Sequence, residues 1–120
     1  MKPIGWIGSA RNDLLSFPED AIREIGHALF LAQMGGKHAK AKPLKGFGGA
    51  GVLEIVEDHE GDAFRAVYTV RFAEVIYVLH AFQKKSKRGI ATPRQEINKI
   101  RARLNLAEKE YAQWQKQRKP

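Results

Sequence analysis

The 120-residue sequence has no cysteine. That excludes disulfide frameworks, thiol nucleophiles and cysteine-ligated metals. No apolar run approaches the roughly 20 residues that span a bilayer. Residues 1–10 lack the charged start and long apolar core of a signal peptide, so a cytoplasmic protein with no membrane partner is expected. The four histidines, His27, His38, His59 and His80, are widely separated and form no H-x-x-x-H or H-E-x-x-H pair, so neither a metal nor another cofactor is expected. Internal repeats and low-complexity linkers are also missing. A chain of this length, 43% hydrophobic, suits one domain over residues 1–120 with a modest core.

What is present is positive charge, unevenly placed. Residues 1–83 hold 9 Lys/Arg against 10 Asp/Glu, while residues 84–120 hold 12 against 3. A nearly neutral body with a basic end points to a polyanion, because each phosphate neutralised releases counterions. The alternative is a solvated basic helix that aids solubility or docks an acidic partner.

The pattern along the chain reads β, α, loop, β, β, β, α. Ile4, Trp6 and Ile7 suit a first strand within Pro3–Gly8. Ser16-Phe-Pro-Glu19 has the form of a capping box. Ile22, Ile25, Leu29 and Ala32 follow at helical spacing, and Gly35-Gly36 ends that helix. After a basic loop over 38–45 and a glycine-rich bend over 46–51, strands are expected at Val52–Glu57, Phe64–Val70 and Val75–Phe82. His59-Glu-Gly-Asp62 reads as the hairpin turn between the first two. The glycines precede a strand and not a helix, which argues against a phosphate loop. Thr92-Pro-Arg-Gln95 reads as a second capping box with Pro93 at the first helical position. Ile97, Ile100, Leu104, Ala107, Tyr111 and Trp114 then make one apolar stripe of an amphipathic helix over about 93–117, with the core over about 4–92.

The most informative segment is Val75–Lys85, a hydrophobic strand that runs into Lys84 and Lys85 and then Lys87 and Arg88. Antiparallel pairing would bring Arg65, on the preceding strand, close to that end. Such a cluster suits phosphate binding and stabilisation of a phosphoryl-transfer transition state. Equally, Arg65 can pair with Glu54 across the hairpin, leaving the lysines solvated.

Lys42-Pro-Leu-Lys-Gly-Phe47, Gly51-Val-Leu-Glu-Ile55, Phe64-Arg-Ala-Val-Tyr68, Tyr77-Val-Leu-His-Ala-Phe-Gln-Lys-Lys85 and Thr92-Pro resemble, in that order, the phage-derived HigB-like toxins. These belong to the RelE/ParE superfamily of type II toxin–antitoxin systems. The resemblance covers roughly Ile4 to Leu104, and Phe82-Gln-Lys-Lys85 is its most specific block. It implies an α+β fold: a small twisted antiparallel sheet packed by helices on one side, with a C-terminal amphipathic helix. It also implies metal-independent cleavage of messenger RNA on the ribosome, in which the RNA 2′-hydroxyl attacks the adjacent phosphate. Arg65 matches the family's arginine over the scissile phosphate. Lys84 and Lys85 match its basic groups at the end of the last core strand, and Lys42 and Lys45 match lysines of its active-site loop. Lys87 and Arg88 extend the RNA-binding set.

Several relatives place a histidine or tyrosine at the C-terminal end as acid or base, whereas this chain continues into a helix. His80, the imidazole nearest the lysines, is the candidate for proton transfer. The other reading of the same resemblance is a non-enzymatic, ParE-like gyrase poison; a third is a basic regulatory module that binds nucleic acid without toxicity. Either toxin reading implies a helix-turn-helix antitoxin as partner.

Overall fold

The computed structural model describes residues 1–49, 51–84 and 92–118. In chain order the elements are β1 (Ile4–Trp6), α1 (Ala10–Leu15), α2 (Glu19–Gln33), β2 (Lys42–Pro43), β3 (Val52–His59), β4 (Asp62–Thr69), β5 (Ile76–Lys84) and α3 (Arg94–Arg118). One five-stranded sheet has the order β1-β5-β4-β3-β2. The expected antiparallel pairing holds from β3 to β5; β2, inside the span expected to be loop, adds antiparallel to β3, and β1 adds to β5 in parallel, which makes the sheet mixed.

Local chemistry explains the boundaries. Between β3 and β4 the two central residues, Glu60 and Gly61, both have positive φ (51° and 87°), the hairpin geometry that follows strand twist. Helix α2 ends in a Schellman arrangement: Gly36 N–H donates to the Leu31 carbonyl and Gly35 N–H to that of Ala32, with Gly35 at φ 86°.

Two local expectations are corrected. Ser16 does not cap α2. Its hydroxyl donates to the Asp13 carbonyl and closes α1, a helix of six residues too short to announce itself by periodicity. Pro18 stands at the start of α2, with no side-chain cap bond. The C-terminal helix begins at Arg94, and the Thr92 hydroxyl is committed to Glu54 of β3.

Helices flank the sheet differently. Helices α1 and α2 bury Leu14, Ile25, Ala28 and Leu29 on Ile55, Ala66, Tyr68, Ile76 and Val78. Helix α3 lies on the opposite face, where Ile100, Leu104 and Ala107 meet Val67, Tyr77, Leu79 and Phe82, with Ile97, Tyr111 and Trp114 at the margin. The whole predicted stripe is thus used. Fully burying one such aliphatic side chain is worth about 1.5–3 kcal/mol.

Candidate functional site

Alternation along the strands decides which side chains meet on the α3 face. Register places Lys42, Glu54, Val67 and His80 on one rung across four strands. The next rung is Val56, Arg65 and Phe82, and the next is Asp58, Ala63 and Lys84. Arg65, His80, Lys84 and Lys42 therefore share one face, and Lys84 is the diagonal neighbour of Arg65. Lys45 is exposed in the loop beyond β2. Lys85, Lys87 and Arg88 lie outside the described residues.

Arg65 is 4% exposed. Its Nη1 donates to Glu54 Oε2 at 3.2 Å and to Thr92 Oγ1 at 3.4 Å. Thr92 Oγ1 in turn donates to the same Glu54 oxygen at 2.9 Å. The cross-hairpin pair weighed from the sequence is present, and Thr92, two residues before α3, closes it into a three-membered cluster. A buried guanidinium held by a carboxylate has its orientation fixed by that pair.

His80 is oriented by a bulge. Val67 pairs with His80 and Tyr68 with Val78, so Leu79 is the extra residue and His80 stays on the α3 face. His80 Nε2 lies 2.8 Å from Glu96 Oε1, and Arg103 Nη1 lies 3.2 Å from Nδ1. A guanidinium can only donate, so the network assigns Nδ1 as acceptor and Nε2–H as donor to Glu96. Burial holds this imidazole below its ordinary pKa, although the Glu96 carboxylate pulls upward.

The chain of contacts extends outward. Arg103 also donates to the Leu79 carbonyl and to Ser9 Oγ, which donates to Asp13 Oδ2 at 2.7 Å. Gly8, at φ 57°, permits this arrangement: a Cβ there would lie 3.0 Å from the Arg103 guanidinium carbon. A cleft of about 310 Å³ opens beside His80, lined by Asp13, Phe17, Phe82, Gln83, Glu96 and Lys99 among others.

Sequence reading missed three contributors. Glu54 entered only as a possible neutralising partner, Thr92 only as a cap, and Glu96 not at all. The i, i+4 spacing of Thr92, just before α3, and Glu96, in its first turn, is a weak signal that only docking makes meaningful.

The fold also gathers Glu24, His27 and His38, whose ligand atoms lie within 4.8 Å of one another. His38 joins from the loop after α2, which is why spacing along the chain did not suggest it.

No described helix is long and apolar enough to cross a membrane. Neither a curated protein nor a solved structure matches the chain significantly. A family model does match: "Phage derived protein Gp49-like (DUF891)", over residues 12–105. That span holds β2 to β5, Arg65, His80 and the first half of α3. The chain therefore belongs to the phage-derived Gp49-like family, a RelE/ParE-like family associated with the toxins of toxin–antitoxin systems, which suggests an antitoxin partner.

Proposed function

We propose that this chain is a HigB-like toxin that cleaves messenger RNA without a metal, acting on the translating ribosome until a helix-turn-helix antitoxin neutralises it. The observation that carries the reading is the Arg65–Glu54–Thr92 cluster, with Lys42 and Lys84 on the same sheet face. Glu54 accepts the proton of the attacking 2′-hydroxyl. Arg65 then shifts from Glu54 to the phosphate, where charge accumulates. The 2′-oxygen–phosphorus bond forms and the bond to the 5′-oxygen breaks. Lys84 is assigned to give the leaving oxygen its proton. The products are a 2′,3′-cyclic phosphate and a free 5′-hydroxyl. His80, held at both nitrogens, serves here to anchor α3 beside the site.

A translation extract programmed with a defined message, assayed for RNA ends, tests this. Arg65→Lys, Glu54→Gln and Lys84→Ala are each expected to cut cleavage about a hundredfold or more, with unchanged circular dichroism. Intact message while growth stops would sink the reading.

Two observations favour the non-enzymatic alternative: Arg65 already has a carboxylate partner, and α3 turns a basic outer surface to solvent, with Arg94, Lys99, Arg101 and Lys109 exposed. Loss of DNA supercoiling by gyrase, without RNA cleavage, would select it.

A further inference from the structure

Glu24 and His27 stand three residues apart on α2, so both project from one face of the helix. The glycine stop at Gly35-Gly36 turns the chain back, and His38 returns to that face. It is 7% exposed, whereas His27 is open to solvent and Glu24 half-buried. His38 Nε2 is 2.5 Å from Glu24 Oε1. The two imidazole rings stand nearly perpendicular, with centroids 5.4 Å apart.

Two imidazoles and a carboxylate are the donor set of three-ligand zinc sites, which keep a fourth position for water or another ligand. Nitrogen donors favour zinc and its neighbours over magnesium and calcium. We propose that Glu24, His27 and His38 bind one divalent transition ion of the zinc class, clamping α2 to the loop that leads into β2. The site lies outside the proposed RNA face and does not depend on the nuclease reading.

Binding requires specific local changes. Lys40 N–H donates to His38 Nδ1 at 3.0 Å, so without metal Nε2 carries the proton and points it at Glu24. The ion takes that proton's place. That proton, the only one on the nitrogens of the neutral ring, moves to Nδ1, which can then no longer accept from Lys40 and gives up that bond. The Glu24–His38 gap opens to the roughly 3.3 Å that two ligands keep on a tetrahedral zinc. Electrostatics do not oppose this, because the Lys40 ammonium is 3.3 Å from a Glu57 carboxylate oxygen and shares its charge with that group. Exposed His27 leaves an entry path from solvent.

The test uses the full chain, stripped with chelator and titrated with zinc sulfate by calorimetry, and with cobalt(II) by visible absorption. One ion per chain, a tetrahedral cobalt spectrum and a melting temperature that rises with zinc concentration are expected. His27→Gln should weaken zinc binding by about tenfold or more without unfolding the protein, since His27 is exposed. His59→Gln, which removes a histidine outside the cluster, should bind as the parent does. Equal affinity in the parent and in His27→Gln, or no binding by the parent, overturns the proposal.

Discussion

The two faces of the sheet are built on different principles. Under α1 and α2 the contacts are apolar almost throughout, and one phenol, Tyr68, is the conspicuous polar group there. Under α3 the apolar contacts are joined by charged ones: Arg65 of β4 pairs with Glu54 of β3, and His80 of β5 with Glu96 and Arg103 of the helix. Buried ion pairs pay heavily for lost hydration and are weak sources of stability. The first face is accordingly almost purely a packing surface, whereas the second combines apolar packing with charged groups held in place by one another.

That contrast can be broken most severely at Arg65. Arg65→Leu should destabilise the chain by about 3–5 kcal/mol in urea unfolding, because it strands the Glu54 carboxylate. Adding Glu54→Leu should recover most of the loss. If the double variant is no better than the single, the pair is not the cause.

A smaller effect is expected at His80, faced by Glu96, Arg103 and Lys99. Its folded pKa is depressed, so the unfolded chain takes up the proton first as pH falls. Its contribution is complete above the ordinary imidazole value of about 6.5 and is lost as pH falls from there through the lower folded value. Melting temperatures from pH 8 to about 5 should slope downward on the acid side, and His80→Gln should flatten that slope. An unchanged slope would mean that other groups set it.

The smallest effect sharpens the comparison from the opposite side. The Tyr68 hydroxyl is buried without a hydrogen-bond partner among the described residues, and burial pushes its pKa up to about 12. Tyr68→Phe should change stability by about 1 kcal/mol or less, in the favourable direction. A large loss would reveal a polar role on the face assigned to packing.

The same division governs what could be read from the sequence. The apolar stripe Ile97–Trp114, the Glu60-Gly61 turn and the glycine stop after α2 depend on local spacing, and all three are realised. Short α1 and two-residue β2 carry too few residues for a period. The parallel addition of β1 depends on a partner far along the chain. At the site, Arg65 and Lys84 were legible because one hairpin register relates them. Thr92 and Glu96 were not, since their partners are set by how α3 crosses the sheet. Their apparent local role, capping, competed with the tertiary one and lost at Thr92.

The parallel strand at the sheet's edge also fixes an order of events during synthesis. Ile4 is made 72 residues before its partner Ile76, which emerges from the ribosome long afterwards. Until then the nascent chain can form its β3–β4 hairpin but cannot close the sheet. Thr92 and Glu96, which bond to Glu54 and His80, come later still. A product that stops short of Thr92 would therefore lack those contacts, and the Arg65–Glu54 pair would go without its third member.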